Sequence, residues 1–114
     1  MNIEDFYNYC LKKPFVEETF PFDKTTLVFK VKNKMFALCD IDQFDFINLK
    51  CDPERAIAIR EEYQGIQPGY HMSKTHWNSV YPNQDVPDQL IFELIDHSYA
   101  LIVQSLPKKE RFEL

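Results

Sequence analysis

Glycine is scarce in this chain of 114 residues, which contains only Gly65 and Gly69. Loops of the GxxxxGK and GxGxxG kinds need several closely spaced glycines, because their backbones approach nucleotide phosphates directly. Neither motif occurs in the sequence. Nucleotide binding through a loop of this kind is therefore excluded.

A long apolar run is also missing. The most apolar stretch, residues 90–106, is interrupted by Glu93, Asp96, His97 and Gln104, whereas a membrane-spanning helix needs about 20 consecutive apolar residues. The first residues, MNIEDFYNYCLKK, place acids where a secretory signal needs a basic start and an apolar block. We therefore expect a cytoplasmic protein without a membrane partner.

Cysteine is limited to Cys10, Cys39 and Cys51, an odd number at wide spacing without a CxxC pair. Zinc ribbons and redox-active dithiols use close pairs, so this spacing favours buried free thiols. We expect no metal and no other cofactor.

Basic residues are fewer than acidic ones: the chain has 13 Lys and Arg and 18 Asp and Glu, which gives a net charge of -5. This balance works against non-specific binding to a phosphate backbone, which depends on clustered basic residues. A local basic face could still overcome the average.

The length and a composition of 45% apolar and 27% charged residues predict one globular domain, residues 1–114. Asn2 is positioned to cap a first helix that Pro14 stops. Four short β-rich runs follow between residues 16 and 51, and Pro21 confines the first of them to an edge or an irregular lead-in. The runs are VEETFPF, TTLVFKV, KMFALCDI and FDFINLKC.

The tightest break between these runs is Lys32-Asn33, since Asn tolerates left-handed backbone geometry. It predicts a hairpin of residues 27–31 and 35–39, with residues 44–51 as the next antiparallel strand. Asp52 and Pro53 then predict the start of a second helix.

Gly65 is the predicted end of that helix. The segment GYHMSKTHWNSVYP, residues 69–82, follows as two short strands, about 69–73 and 76–81, joined at Lys74-Thr75. Pro87 starts a last helix with an apolar stripe. The order predicts an α+β fold, an antiparallel sheet with helices packed on one face. The stripe consists of Ile91, Leu94, Ile95, Ser98, Leu101, Ile102 and Leu106.

The stretch PGYHMSKTHWNSV, followed by a helix ending in DHSYALIVQSLPKK, resembles the MmcQ/YjbR family. VEETFPF, VFKVKNKMFAL and NLKCDPERAIAIRE extend the resemblance over nearly the whole chain, although Ser73 stands where the family commonly has Asn. The resemblance implies a two-layer α-β(3)-α-β(2)-α fold, similar to secretion chaperones and frataxin-like proteins. It also implies DNA binding through two β-hairpins that act as paired wings.

The residues themselves supply two candidate wings for nucleic-acid binding. One is the lysine-rich hairpin of residues 30–34, where Lys30 and Lys32 are expected to share a strand face and Lys34 to lie across the turn. The other is the turn of residues 71–76, with Trp77 or Tyr70 beside it for stacking. An alternative is that the lysines only protect a sheet edge, and that Trp77 is a buried anchor. The candidate binding residues are Lys30, Lys32, Lys34, His71, Lys74, His76 and Trp77.

Metal binding and catalysis are weaker alternatives. His71 and His76 could converge on a metal with His97 or an acid, but a zinc site needs three or four close ligands. The same histidines could act as a general base with Ser73 or Thr75, oriented by Asp96 or Asp88, but no oxyanion site or nucleophile-elbow sequence is present. We predict a protein that is not an enzyme.

Protein binding is the remaining class. A small acidic α+β domain could offer its sheet face or an edge strand to an extended peptide, or associate with itself. Phe15, Phe20 and Phe22 are either core residues or an adhesive edge, and we expect them in the core. The sequence therefore leaves a DNA-binding protein and a protein-interaction or chaperone-like module without nucleic-acid affinity as the two candidate functions.

Overall fold

The computed structural model describes residues 1–112 and forms an α+β fold, as the sequence predicted. Six strands make one antiparallel sheet in the order β1-β2-β3-β4-β6-β5. The strands are β1 (Val16–Thr19), β2 (Thr26–Val31), β3 (Lys34–Asp40), β4 (Ile47–Lys50), β5 (Ile66–Pro68) and β6 (Trp77–Val80). The helices are α1 (Ile3–Leu11), α2 (Pro53–Glu62), α3 (Asp88–Ser105) and the short α4 (Lys108–Phe112).

Four strands, not the three implied by the family resemblance, precede α2. The additional strand is β1, which pairs only with β2 and forms one edge of the sheet. Pro21 lies just beyond its end, which agrees with the prediction that this run is confined to an edge.

The helix boundaries follow local capping chemistry. Asn2 accepts a hydrogen bond from the backbone N–H of Asp5, and Asp5 accepts one from the backbone N–H of Asn2, which is a complete capping box. At α2 the Asp52 side chain accepts the N–H of Arg55, and Pro53 stands in the first turn. Both predicted helix starts are confirmed.

The predicted β2–β3 hairpin is also confirmed. Lys32 and Asn33 form its two-residue turn with φ values of 49° and 68°. Two successive left-handed residues match the right-handed twist of the flanking strands, which explains the tight connection.

Three predicted boundaries are wrong. Helix α2 ends at Glu62 without a left-handed glycine, and Gly65 serves another purpose: a Cβ there would lie 2.8 Å from Asp85 Oδ1. Strand β4 begins at Ile47, because Phe44 adopts a φ of 46° that interrupts an extended run. The first strand of the last pair is Ile66–Pro68, so residues 69–76 form a loop and not a strand with a two-residue turn.

The main core lies between one face of the sheet and helices α1, α2 and α3. Phe6 of α1 meets Phe29 of β2 edge to face, with ring centroids 5.6 Å apart. In the predicted stripe of α3, Ser98 donates a hydrogen bond to the Phe36 carbonyl and accepts one from the Lys50 N–H. The one polar residue of the stripe thus ties α3 to β3 and β4.

The opposite side of the sheet, which we call the open face, carries a small second cluster that contains no helix residue. Val28, Leu38 and Trp77 are its buried members, and Met35 and Met72 pack against them. No helix in the described part of the chain is long and apolar enough to cross a membrane.

Candidate functional site

The lysines of the β2–β3 hairpin do not form one basic face. Lys30 lies opposite Glu17 on one neighbouring strand and Met35 on the other, which places it on the open face. Lys34 lies opposite Val31, a main-core residue, and its Nζ donates to the carbonyl of Ser105 at the end of α3, 3.3 Å away. Lys30 and Lys34 therefore point to opposite sides of the sheet.

Lys32 does not share a strand face with Lys30, contrary to our expectation. It lies in the turn, outside β2, and its left-handed backbone breaks the alternation of strand side chains. Its Nζ lies 5.3 Å from the centre of the Phe15 ring, a cation–π contact with the segment that leads into β1.

The second candidate wing is a loop whose polar groups are largely occupied by the protein itself. Lys74 Nζ donates to the carbonyl of Gly69 at 2.9 Å, and the Lys74 carbonyl accepts from Arg60 of α2. His71 and His76 are exposed, and His71 adopts a left-handed φ of 59°. The loop is thus folded back on itself and does not project as a hairpin wing.

Arg60 of α2 binds this loop, and sequence reasoning missed it. It donates to Asn78 Oδ1 at 2.6 Å and to the Trp77 carbonyl at 3.3 Å, and it also bonds the loop at Lys74. A basic residue in the last turn of α2 was the available signal, but the same position also suits the helix dipole.

Trp77 is 9% exposed and anchors the open-face cluster, which agrees with the buried-anchor alternative. Gly69 packs directly against it, because a Cβ on Gly69 would lie 2.8 Å from Trp77 Cβ. A side chain in this position cannot offer its ring to a nucleotide base without a rearrangement of the loop.

The open face also carries a cleft of about 430 Å³. Its floor is formed by strands β2, β3 and β4, and its walls come from the loop after β1 and the loop after β5. The lining residues are Phe22, Thr26, Leu38, Cys39, Asp40, Phe46, Asn48, Tyr70, His71 and Met72.

A hydrogen-bond network fixes the wall of this cleft that carries Tyr70. Asn48 donates to the Tyr70 carbonyl at 3.1 Å, and the Tyr70 N–H donates to Ser79 Oγ at 2.9 Å. Ser79 in turn donates to Asn48 Oδ1 at 2.5 Å. Two buried polar side chains of the sheet thereby hold the loop backbone in place, which preorganises the cleft.

The aromatic segment around Pro21 is not in the core, contrary to our expectation. Phe15, Phe20 and Phe22 are 56%, 45% and 64% exposed. Strand β1 ends at Thr19, before Phe20, and the helix face is already filled by Phe6, Phe29 and Phe36. These three exposed rings instead surround the edge strand, and Phe22 forms part of the cleft.

The alternative metal and catalytic constellations are not brought together. His97 Nε2 accepts the backbone N–H of Asp52 at 3.1 Å, while Asp96 accepts from Tyr9 and Lys13. Within residues 1–112, no three His, Cys, Asp or Glu side chains lie close enough to hold a metal ion. Burial, reinforced by Arg55, lowers the pKa of His97 below its ordinary value.

All three cysteines are buried free thiols, as predicted. Burial raises the pKa of Cys39 to about 12 and that of Cys51 to about 11, and it also raises the pKa of Cys10. A thiol is nucleophilic only as its thiolate, so these cysteines are poor nucleophiles at neutral pH.

Comparison with known proteins places this architecture in a family. The YjbR family model matches residues 11–101. The uncharacterized protein YbdF of Escherichia coli O157:H7 is 41% identical over 90% of this chain and 84% of its own length. The uncharacterized protein YjbR of Escherichia coli K12 is 32% identical over 97% of this chain and 95% of its own length.

Solved structures give the same result. A crystal structure of a Deinococcus radiodurans protein with the DUF419 domain superposes with a TM-score of 0.93 at 43% identity, over 98% of this chain and 86% of that one. A Pseudomonas syringae protein superposes with a TM-score of 0.74 at 31% identity, over 89% of this chain and 98% of its own. Sequence and fold together show that this chain belongs to the YjbR family.

Proposed function

We propose that the protein is a non-enzymatic protein-interaction module that acts in the cytoplasm and binds an extended segment of a partner on its open face. The observation that carries this proposal is the preorganised cleft, whose walls include the rings of Phe22, Phe46 and Tyr70. Aromatic side chains and methionine are the residues most enriched where proteins meet other proteins.

The rim of the cleft favours a protein partner over an enclosed small molecule. Phe22 and Tyr70 are 64% and 57% exposed, so the cleft opens broadly onto the surface. Exposed aromatic rings that line one opening, as these two do, are typical of interaction surfaces.

The charges of the open face support the same choice. Glu17 lies directly opposite Lys30, so the hairpin lysine that faces this side is matched by an acid on the neighbouring strand. Opposite charges in cross-strand pairs attract each other, which lowers the capacity of Lys30 for phosphate.

Peptide selection with the purified protein provides the test. We expect peptides selected from a random phage-displayed library to bind and to shift the amide NMR signals of Leu38, Asn48 and Met72. The double variant Phe22→Ser/Tyr70→Ser should weaken binding at least about tenfold, because exposed aromatic anchors carry most of the energy in such contacts.

Ile57→Ser is the matched control, because Ile57 is 57% exposed but lies on α2, on the other side of the sheet. This variant should bind the selected peptides like the wild type. The proposal is wrong if no peptide is selected, or if the shifted signals map away from the open face.

Nucleic-acid binding is a second candidate function, and one observation favours it. The rings of Tyr70 and His71 contact each other, with centroids 4.0 Å apart, on an exposed loop that also carries Lys74 and His76. An exposed ring pair beside basic groups could stack on the bases of a single strand.

Labelled single-stranded DNA tests this second candidate. Binding at low salt should weaken as salt rises and weaken further in Lys30→Glu, since each lost phosphate contact reduces counterion release. Lys34 and Lys74 are left unchanged because they contact the carbonyls of Ser105 and Gly69. Lys109→Glu, at an exposed position of α4, is the charge-matched control. Absence of wild-type binding at low salt would reject this candidate.

A further inference from the structure

The cleft on the open face has the form of an aromatic corner. The ring of Phe46 meets the ring of Tyr70 at 81°, with centroids 5.7 Å apart. Tyr81 packs against Phe46 with ring centroids 5.2 Å apart, and His71 packs against Tyr70 with centroids 4.0 Å apart. The two walls of the corner are therefore held in position by neighbouring rings, while Phe22 lines the cleft nearby.

The lining of the cleft includes an acid and favours positive charge in an occupant. Among the described residues that line it, Asp40 is the only acid, and none is Lys or Arg. Asp40 Oδ1 accepts the backbone N–H groups of Asp42 and Gln43 at 2.8 and 2.9 Å, which fixes the carboxylate. No hydrogen bond to its Oδ2 is formed by the described residues, so that oxygen is available to an occupant.

Further acids surround the cleft. Asp23 follows Phe22 in the loop after β1, and Asp42 and Asp45 are exposed in the connection between β3 and β4. The N–H groups of Thr26 and Thr25 donate to Asp23, and they lower the pKa of its carboxyl group. Asp23 is thus ionised at neutral pH and adds to the negative potential around the cleft.

We infer that this cleft binds a cationic side chain of the partner segment, with arginine as the best-fitting occupant. Aromatic faces attract cations through their ring quadrupoles. The Asp40 carboxylate in the same lining adds a direct attraction between opposite charges. A planar guanidinium can stack on one ring of the corner while it donates a hydrogen bond to Asp40. The inference rests on the proposed function and specifies which side chain the open face recognises.

The same features disfavour an anionic occupant. A phosphate or carboxylate in the cleft would face Asp40, and no lysine or arginine among the described lining residues would compensate. Like charges at short range repel, and the partly buried position of Asp40 limits screening by salt. The cleft therefore selects for positive charge, whichever partner carries it.

NMR titration with two small probes tests the inference directly. N-acetylarginine amide should shift the signals of Leu38, Phe46 and Met72, whereas N-acetylcitrulline amide, which has nearly the same shape without the charge, should not. Asp40→Asn should weaken binding of the arginine probe about fivefold, and Tyr70→Leu about threefold, because each removes one part of the cation's environment.

Glu61→Gln is the matched control, because Glu61 is an exposed acid of α2, on the other side of the sheet, and does not line the cleft. It should bind the arginine probe like the wild type, and all variants should keep the dispersed amide spectrum of the folded protein. Equal shifts from the citrulline probe, or unchanged affinity in Asp40→Asn, would overturn the inference.

The outcomes separate this inference from the proposed function. If selected peptides bind the open face but keep their affinity when each arginine or lysine is replaced by citrulline or glutamine, the peptide-binding proposal stands and the cation site is wrong. If the arginine probe binds the cleft and no peptide does, the cation site stands and the peptide-binding proposal is wrong.

Discussion

His97 illustrates how a single side chain ties two elements together in one protonation state. Its Nε2 accepts the N–H of Asp52, the residue that caps α2, so the ring must be unprotonated at that nitrogen. Burial lowers the pKa of His97, and Arg55 adds to the effect while Asp52 opposes it. Neutral His97 therefore belongs to the folded state.

A pH dependence of stability follows from this contact. Because the pKa of His97 is lower in the folded than in the unfolded chain, the unfolded chain binds the proton first as pH falls. The free energy of unfolding should decrease between about pH 7 and about pH 5, the range in which an ordinary histidine becomes charged. Urea denaturation at a series of pH values measures the slope.

The variant His97→Gln should flatten that slope, since glutamine offers an acceptor oxygen without a titration in this range. His76→Gln, at an exposed position, should retain the wild-type slope and serves as the control. An identical slope in His97→Gln would show that other groups control this part of the stability curve.

At the scale of elements, the β2–β3 turn is where backbone geometry selects residue type. Lys32 and Asn33 both have positive φ, a region that costs most residues about 1 kcal/mol or more and that asparagine and glycine tolerate best. The turn also sets the register that places Lys34 against the end of α3.

Substitution of Asn33 tests this role. Asn33→Ala should lower the free energy of unfolding by about 1 kcal/mol, whereas Asn33→Gly should keep or slightly raise it. The control is Asn8→Ala in α1, where the better helix former should raise stability by up to about 0.5 kcal/mol. Chemical denaturation measures all three, and equal effects of alanine at the two positions would contradict the role of the turn.

These elements also show what the sequence could predict. The helix caps at Asn2 and Asp52 and the turn at Asn33 were predictable because each depends on residues within three or four positions. The loop of residues 69–76 was not, because its shape depends on Arg60, which bonds it from α2. A pattern of neighbouring residues cannot predict a contact between residues 14 or 18 positions apart.

At the scale of the whole molecule, the partition of phenylalanines between inside and outside was the main error of sequence reasoning. Phe6, Phe29 and Phe36 are completely buried, while Phe20 and Phe22 are about half exposed or more. Only the position of β1 at the sheet edge, which is a property of the complete topology, separates them.

This partition predicts two very different mutational costs. Phe20→Ser/Phe22→Ser should change the free energy of unfolding by less than about 1 kcal/mol, because surface substitutions remove little buried area. Phe36→Ala should cost about 3–5 kcal/mol, because it leaves a cavity in the main core. Thermal denaturation followed by circular dichroism compares them, and a cost for the double variant near that of Phe36→Ala would place these rings in the core after all.

The cleft was likewise beyond sequence reasoning, although its components were visible. The cleft takes Phe22, Phe46 and Tyr70 from three separate connections and Asp40 from the end of β3. Only the completed sheet brings these residues together. The sequence drew attention to the lysines and histidines, because clustered polar residues are conspicuous in a linear pattern. The cleft that the fold builds is instead lined by aromatic rings and an acid.

The buried position of Trp77 gives the protein its own optical reporter. It is the only tryptophan in the chain, and it packs in one cluster with Leu38 and Met72, which also line the cleft. Excitation of the indole therefore observes the open face without an added label. An occupant that moves the Met72 side chain will change the polarity and quenching around the ring, so that the emission of the unmodified protein records how full the cleft is.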